Sequence, residues 1–377
     1  MNEQILAGMR EAMSLLQQDG AVAATGKIQQ TLWDLMAAGT WAGAPAARGV
    51  GTAPLDSTAN PVGTVGRFVP DLLARLGVAT PPAGAVNEVP LSAPGGAPVA
   101  GQFLAGSFTN HDGTRAYKLY VPTTYRGQAL PLVVMLHGCG QDPDDFAAGT
   151  RLNLMAEQEP CLVLYPAANG SGCWNWFNAG DQQRDQGEPA IIAGMTREIM
   201  ATYQVDPTRV YCAGMSAGGA MAAIMGATYS DLYAAIGVHS GVPYAAATDM
   251  LSGMAVMRGG GTAPANADLQ GVPIIVFHGD RDDTVHPRNS DQLMTQSIAA
   301  QASAKVNRGQ AGTGHAYTQT VHEGPDGTPV AEQWLVHGAG HAWSGGSRRG
   351  RFTDGRGPDA SREMMRFFAA QSRPAAQ

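Results

Sequence analysis

The residues around Ser216 form the motif with the most direct chemical meaning in this sequence. Residues 209–221 read R-V-Y-C-A-G-M-S-A-G-G-A-M: a short apolar run, then G-x-S-x-G, then small apolar residues. This order predicts a strand, a tight turn and a buried helix. A serine on such a turn has its hydroxyl pushed clear of the sheet, and the flanking glycines let strand and helix pass closely. The alternative is an ordinary glycine-rich turn, since the chain has 49 glycines. We predict that Ser216 is a nucleophile, which requires partners elsewhere in the chain.

A candidate base follows the last predicted strand, in the string H-G-A-G-H-A-W at 337–343. His341 comes after a G-x-G turn that would let it swing over the end of the sheet. It would accept the proton of Ser216 and return it to the leaving group. His337 lies where the strand runs out, so we predict a packed or exposed position for it. Three other histidines have no comparable setting and are predicted at surface or satisfied interior positions: His111, His239 and His322.

Candidate acids follow another predicted strand, in the string H-G-D-R-D-D-T-V that begins at His278. One of the three aspartates is predicted to orient the histidine and to stabilise its imidazolium form. Asp282 is our first choice, and Asp280 and Asp283 stay open. A metal site formed by His278, these aspartates and His286 is a further interpretation, although the coordination spacing is not distinctive.

Backbone donors for an oxyanion are predicted in the string L-H-G-C-G-Q at 136–141, directly after the run L-P-L-V-V-M-L. We propose the N–H of Cys139 together with that of Ala217, the residue after the nucleophile. The alternative is a plain turn with a packed histidine. Three tryptophans flank this region and are predicted to form an apolar wall for the substrate: Trp174, Trp176 and Trp343. For Trp174 and Trp176, packing in the core is an equally open alternative.

Strand-length apolar runs alternate with helix-length segments through most of the chain. The runs lie at 130–136, 161–165, 210–213, 234–238, 273–277 and 332–336, and the helical segments at 142–158, 188–203, 217–229, 289–302 and 361–371. Residues 115–121 alternate like an antiparallel edge strand. The pattern predicts an α/β fold, with a mostly parallel sheet covered by helices on both faces. In such sheets functional residues gather at the carboxyl ends of strands, where the four motifs are placed.

The first part of the chain differs in composition. Residues 1–40 are predicted to form a helical N-terminal extension, with amphipathic helices at 1–19 and 26–38. Each has a single apolar stripe, which must pack on the main domain, on a second subunit or on an apolar surface such as a polymer granule. Residues 41–105 are rich in alanine, glycine and proline and are predicted to form a linker. The catalytic domain is predicted at 106–372.

Charge, hydropathy and cysteine usage narrow the class of protein. The net charge of −7 argues against a nucleic-acid partner. No apolar run has the length of a transmembrane segment, and no signal-peptide layout is seen, which predicts a cytoplasmic protein.

The cysteines lack C-x-x-C spacing, so no zinc site is predicted. Cys161 and Cys212 are predicted as buried thiols, and pairing of Cys139 with Cys173 is left open. The predicted chemistry needs no metal or organic cofactor.

Taken together, five strings resemble the poly(3-hydroxybutyrate) depolymerase family of esterases, whose relatives are feruloyl and acetylxylan esterases. They are L-H-G-C-G-Q, C-W-N-W-F, G-M-S-A-G-G-A-M, H-G-D-R-D-D-T-V and G-H-A-W-S-G-G, and the resemblance covers about residues 106–345. It implies an α/β-hydrolase fold with the triad Ser216, Asp282 and His341, in the chain order typical of that fold. It also favours Asp282 over the other two aspartates. Secreted members carry a signal peptide and often a polymer-binding domain, neither of which is seen here.

The predicted function is therefore that of a serine esterase acting through an acyl-enzyme. The first predicted substrate is a short-chain polyhydroxyalkanoate such as polyhydroxybutyrate, or its oligomers. A feruloyl or acetylxylan ester, or small esters in general, are the alternatives. A different class of function is a granule-binding scaffold that uses residues 1–38 and does not need its triad. Granule association would accompany a cytoplasmic location, and an extracellular location is the alternative.

Overall fold

The computed structural model describes residues 101–170, 172–260, 269, 271–298 and 303–374. The predicted helices at 1–19 and 26–38, and the linker as far as residue 100, lie outside the described residues. The first strand begins at Gln102, so residues 102–105 belong to the sheet and not to the predicted linker.

Twelve strands and seven α-helices occur in the described part of the chain. The strands are β1 (Gln102–Asn110), β2 (Gly113–Val121), β3 (Leu130–Leu136), β4 (Leu162–Pro166), β5 (Val205–Met215), β6 (Ala235–His239), β7 (Ile274–Gly279), β8 (Ser303–Gln310), β9 (Ala316–Glu323), β10 (Pro329–Val336), β11 (Trp343–Ser344) and β12 (Thr353–Asp354). The helices are α1 (Pro143–Thr150), α2 (Leu152–Gln158), α3 (Gly187–Thr202), α4 (Ala217–Thr228), α5 (Met250–Gly259), α6 (Arg288–Ser297) and α7 (Ala360–Ala369).

Ten of the strands form one sheet in the order β1-β2-β4-β3-β5-β6-β7-β10-β9-β8. The six central strands, from β4 to β10, pair in parallel. The outer strands on both sides pair antiparallel. Because the central strands are parallel, the segments that follow β3, β5, β6, β7 and β10 all leave the sheet at the same edge.

The core lies on both faces of this sheet, as β3 illustrates. Leu132 and Val134 point into the cluster beneath α3 and α4, whereas Val133 and Met135 point into the cluster beneath α1, α2 and α7. Side chains alternate between the faces of a strand, and here both faces are covered. A strand in this position must be apolar almost throughout, which is why L-P-L-V-V-M-L reads as a continuous run.

The central strands and their helices confirm the predicted pattern, but two predictions need correction. Residues 142–158 form two helices, because Arg151 adopts a left-handed conformation with φ 58°. Its guanidinium donates to the carbonyl of Gly345 at 2.7 Å and to the carboxylate of Asp359 at 2.9 Å. Residues 115–121 lie in an antiparallel strand, as predicted, but that strand is not at the edge, because β1 pairs with its outer side.

The antiparallel extension formed by β8 and β9 was not predicted. Where the side chains of β8 are described they are almost all exposed, so the sequence shows no apolar run there. No helix among the described residues is both long enough and apolar enough to cross a membrane.

Candidate active site

Ser216 occupies a sharp turn between β5 and α4. Its φ of 56° and ψ of −120° are unusual for a residue with a side chain. Its backbone N–H donates to the carbonyl of His239 at 2.9 Å, and its side chain is partly exposed. A Cβ atom at Gly218 would overlap the carbonyl oxygens of Leu136 and His137, so only glycine lets α4 approach the end of β3 this closely. The elbow predicted from the sequence is therefore present.

His341 and Asp282 are brought together although 59 positions separate them. The Nδ1–H of His341 donates to Oδ2 of Asp282 at 2.7 Å. The Asp282 side chain is fully buried and that of His341 is 13% exposed. With the proton held on Nδ1, the Nε2 atom of His341 is the nitrogen that can accept a proton.

The Asp282 carboxylate is stabilised by several donors. Its Oδ1 accepts from the N–H groups of Thr284 at 2.9 Å and Val285 at 2.8 Å. Burial by itself raises the pKa of Asp282. Hydrogen bonds from His278 and His341 lower the pKa by more than burial raises it, so the net pKa lies well below the usual range. The group is therefore ionised at any working pH, as an acid that stabilises an imidazolium must be.

The other two aspartates are placed differently. Asp280 accepts from Nδ1 of His337 at 2.9 Å and from the N–H of Gly338 at 2.7 Å, and so holds the turn that leads to His341. Asp283 is exposed. The geometry thus singles out Asp282 as the partner of His341.

The metal interpretation gains no support from the residues it needs. Nε2 of His278 donates to the carbonyl of Val285 at 2.7 Å, and His286 is exposed. In the described ranges, no group of three or more histidine, cysteine, aspartate or glutamate side chains is arranged to hold a metal ion.

Ser216 stands at the same edge of the sheet as the His341–Asp282 pair. The strands that lead to the elbow, to Asp282 and to His341 are β5, β7 and β10, with only β6 between the first two. Within the residues that the structure describes, no hydrogen bond joins the Ser216 hydroxyl to His341. Catalytic hydrogen bonds are often long without substrate and shorten when it binds.

The backbone N–H groups of Cys139 and Ala217 lie near Ser216 and are the candidate donors to an oxyanion. A Cβ atom built on Gly138 would lie 3.5 Å from Cβ of Ser216, so the loop after β3 passes directly beside the elbow. Cys139 is the next residue of this loop, and Ala217 is the first residue of α4. Neither N–H has an acceptor in the described part of the chain. The first N–H groups of a helix have no partner within the helix, so that of Ala217 is available to a ligand.

Buried polar contacts fix the loop that carries Cys139. Oε1 of Gln141 accepts from the N–H of Gly138 at 3.0 Å, while its Nε2 donates to Asp145 at 2.7 Å. The ring of His137 donates to the carbonyl of Gly138 at 2.8 Å and accepts from the N–H of Ala168 at 3.1 Å. Burial, the largest influence, lowers the pKa of His137, so its ring remains neutral and keeps both bonds. The side chains of Gln141 and His137 thus fix the backbone of the loop that carries Cys139.

A disulfide between Cys139 and Cys173 ties this loop to the segment around Trp174. The sequence left this pairing open. The indole N–H of Trp174 adds a second tie, since it donates to the carbonyl of His137 at 2.9 Å. The buried carboxylate of Glu188 anchors the far side of the segment by accepting from the N–H of Asn175 at 2.7 Å. The predicted oxyanion donor is thus supported by a cross-link and by buried hydrogen bonds.

We expect reduction of the Cys139–Cys173 disulfide to lower both stability and kcat. A cross-link that spans 34 positions contributes about 2–4 kcal/mol to the free energy of unfolding. Loosening of the Cys139 N–H should cost about tenfold in kcat, since removing an oxyanion donor altogether costs more. Urea unfolding and kcat, measured with and without reductant, check this expectation. The Cys139→Ser/Cys173→Ser variant is the control and should not respond to reductant. An unchanged kcat after complete reduction, verified by thiol counting, would contradict it.

We expect Glu188→Gln to reduce the pH dependence of stability. Glu188 is 2% exposed, and burial, opposed by the Asn175 hydrogen bond, raises its pKa to about 7. A carboxyl whose folded-state pKa is raised stabilises the fold fully below its unfolded-state pKa. That contribution is lost as the pH rises through 7. The wild-type free energy of unfolding should therefore fall relative to that of the variant by up to roughly 3 kcal/mol between pH 4.5 and 8.

Urea unfolding at several pH values measures this difference. Glu159→Gln, at an exposed glutamate, is the matched control and should leave the wild-type pH profile unchanged. Parallel profiles for the wild type and the Glu188 variant would contradict the expectation.

The three predicted substrate tryptophans are packed inside the protein. Trp174 and Trp343 are each 1% exposed, and the indole N–H of Trp343 donates to Ser361 at 3.1 Å. Rings buried to this extent offer no surface to a ligand, so the structure places these two in the core and not in a substrate wall. Trp176 is 7% exposed and makes an edge contact with Phe177. A substrate contact of Trp176 stays a prediction.

Sequence reasoning gave no role to three buried polar residues beside the site. Gln141 holds the loop that carries Cys139, Glu188 holds the segment around Trp174, and the carbonyl of His239 accepts from the N–H of Ser216. Of these three residues, only His239 could have been identified from the sequence. It directly follows the predicted strand at 234–238, so it belongs at the same edge of the sheet as the other motifs. The contacts of Gln141 and Glu188 depend on segments far away in the chain.

The known proteins that this chain is similar to are esterases and depolymerases. The family model described as esterase PHB depolymerase matches residues 115–315. Poly(3-hydroxyalkanoate) depolymerase C of Paucimonas lemoignei is 32% identical over 249 residues, which cover 62% of this chain and 59% of that protein. Feruloyl esterase B of Neurospora crassa is 29% identical over 230 residues, covering 56% of this chain and 77% of the relative.

A solved structure supports the fold. The acetyl xylan esterase from Aspergillus awamori superposes with a TM-score of 0.55 at 19% identity, covering 71% of this chain and 99% of that one. The fold is thus that of the α/β-hydrolases, as predicted. The chain spans somewhat less than two thirds of the Paucimonas lemoignei protein's length. Because the family model matches more than half of the sequence, the chain belongs to the PHB depolymerase family of esterases.

Proposed function

We propose that this protein is a serine esterase with Ser216, His341 and Asp282 as its catalytic triad. Nε2 of His341 takes the hydroxyl proton as Oγ of Ser216 attacks the ester carbonyl. The oxyanion accepts from the N–H groups of Cys139 and Ala217. His341 then protonates the leaving alkoxide, which departs and leaves an acyl-serine. A water molecule, deprotonated by His341, then attacks this acyl group. The bond to Oγ of Ser216 breaks, Oγ takes the proton back from His341, and the acid is released.

The observation that carries this proposal is the 2.7 Å hydrogen bond from His341 to the buried carboxylate of Asp282, at the sheet edge that also holds the serine elbow. A surface ion pair would not need an acid enclosed by Thr284, Val285 and His278. The bond fixes the ring tautomer that leaves Nε2 free to act as a base.

For the substrate, we propose a short-chain polyhydroxyalkanoate or its oligomers. Support comes from the similarity to the Paucimonas lemoignei protein, a poly(3-hydroxyalkanoate) depolymerase. It also comes from apolar exposure on α5, where Met250 is 50% and Leu251 75% exposed. The other end of α5 contacts the loop that follows Asp282, since the N–H of His286 donates to the carbonyl of Met257 at 2.7 Å. Exposed apolar side chains on a helix that contacts the loop after Asp282 suit a neutral, hydrophobic ester.

A panel of esters tests the reaction and the substrate together. It runs from tributyrin through hydroxybutyrate oligomers to amorphous polyhydroxybutyrate, with feruloyl and acetylated xylan esters alongside. We expect the oligomers to give the highest kcat/KM. Preference for the xylan or feruloyl esters would favour the second candidate function, which the similarity to feruloyl esterase B of Neurospora crassa supports. Cleavage of small esters alone would indicate a general carboxylesterase.

A fluorophosphonate probe tests the nucleophile directly. We expect a single adduct, which peptide mass spectrometry places on Ser216. A protein that is folded but not labelled there would refute the esterase proposal. The granule-scaffold alternative makes the opposite forecast: deletion of residues 1–38 abolishes granule binding, and loss of the Ser216 hydroxyl leaves the cellular phenotype intact.

We also propose that the protein works in an oxidising compartment, in preference to the cytoplasmic location expected from the sequence. The Cys139–Cys173 disulfide supports this, because such bonds persist mainly outside the reducing cytosol. Alkylation of intact cells with a maleimide, followed by mass spectrometry, tests it. Both cysteines should remain unlabelled, and their labelling would favour the cytoplasm.

A further inference from the structure

We propose that His239 is a positioning residue that holds the loop carrying His341 in register with the Ser216 elbow. The proposal rests on the proposed function, since it assigns Ser216 and His341 their roles in catalysis. It gives a role to a histidine for which the sequence predicted no more than a surface or satisfied interior position.

His239 bonds to both sides of the site. Its carbonyl oxygen accepts from the N–H of Ser216 at 2.9 Å. Its ring nitrogen Nε2 accepts from the N–H of Ser344 at 2.9 Å, across 105 positions of sequence. Ser344 lies three residues beyond His341, on the same loop. One residue therefore joins the backbone of the elbow to the backbone of the loop that bears the base.

The ring is held in a defined orientation. It stacks on Trp343, with centroids 5.0 Å apart and planes at 23°, and on Phe277, with centroids 5.8 Å apart and planes at 11°. Phe277 belongs to β7, which leads to Asp282. The residue as a whole is 1% exposed. His239 thus contacts all three segments from which the triad is drawn.

The ring must be neutral, with its proton on Nδ1. Only an unprotonated Nε2 can accept from the Ser344 N–H, and Nδ1 then donates to the Ser240 hydroxyl at 3.1 Å. Burial, and then the nearby His278 and His341, lower the pKa of His239 to about 3, although the charge of Asp282 acts in the opposite sense. The ring therefore accepts this bond throughout the working range of an esterase.

Three variants test the role. His239→Phe keeps an aromatic ring but cannot accept the Ser344 N–H, whereas His239→Gln offers an amide oxygen as acceptor. Trp334→Phe is the packing control, because Trp334 also stacks on Phe277, at 5.2 Å, while its indole N–H donates to Glu332 and not to the site.

On a small soluble ester we expect His239→Phe to lower kcat by about 10- to 100-fold with KM within about twofold, as for a misplaced catalytic group. We expect His239→Gln to recover most of this loss and Trp334→Phe to stay within about threefold of the wild type. Equal losses in His239→Phe and Trp334→Phe, or a Gln variant no better than the Phe variant, would overturn the proposal.

A second measurement does not depend on any His239 variant folding. The ¹⁵N spectrum of the imidazoles in the Ser216→Ala protein should show His239 with the proton on Nδ1 and no titration from pH 5 to 9. A proton on Nε2 would overturn the proposal. A wild type that hydrolyses no ester and takes no fluorophosphonate would overturn the proposed function as well. An active wild type with an equally active His239→Phe variant would overturn only the role of His239.

Discussion

Ser216→Ala is expected to lower kcat for every ester that the protein hydrolyses by roughly 10⁴- to 10⁶-fold. The reason is that the first covalent step needs the Ser216 oxygen, and no other group in the described site can replace it. Within the described residues the Ser216 hydroxyl forms no hydrogen bond, so the free energy of unfolding should change by less than about 1 kcal/mol. Initial rates and urea unfolding measure the two effects.

The control for this substitution is Ser297→Ala. The Ser297 hydroxyl donates to the carbonyl of Leu293 in its own helix, at 2.8 Å, so its loss should leave kcat within about twofold of the wild type. Fluorophosphonate labelling should disappear from the Ser216 variant and persist in the control. Residual hydrolysis above about one per cent of the wild-type rate would show that a different nucleophile acts.

Asp282→Asn is expected to lower kcat by about 10³- to 10⁴-fold. An asparagine can still accept from the N–H groups of Thr284 and Val285, so the loop should keep its shape. Its amide N–H, however, would face Nδ1 of His341, which now donates to the carboxylate. The histidine would then favour the tautomer with its proton on Nε2, which cannot act as a base towards Ser216. The loss therefore arises in kcat and not in KM.

Two neighbouring aspartates serve as matched controls for Asp282. Asp283→Asn removes an exposed charge and should leave kcat within about twofold of the wild type. Asp280→Asn disturbs the bonds to His337 and Gly338 and should have an intermediate effect, because it acts through the turn before His341. If Asp280→Asn were more damaging than Asp282→Asn, the assignment of the catalytic acid would be overturned.

The parallel sheet was predictable because its signals are local. Each central strand is buried on both faces, and short apolar runs between helix-length segments show this directly. The elbow was predictable for the same reason, since strand, glycine, serine and helix are contiguous. The antiparallel strands β8 and β9 lack such a signal, because a strand with exposed side chains reads like a polar loop.

By itself, then, the sequence determined the central strands of the sheet, the position of Ser216 and the candidates for its partners. Motifs at the carboxyl ends of parallel strands must meet at one edge, whatever the details of packing. The tertiary structure decided the rest. It chose Asp282 over its neighbours by distance, placed Trp174 and Trp343 in the core, and paired Cys139 with Cys173. It also placed His239 between the elbow and the loop that carries His341. Each of these depends on contacts between residues far apart in sequence, and such contacts exist only once the chain has folded.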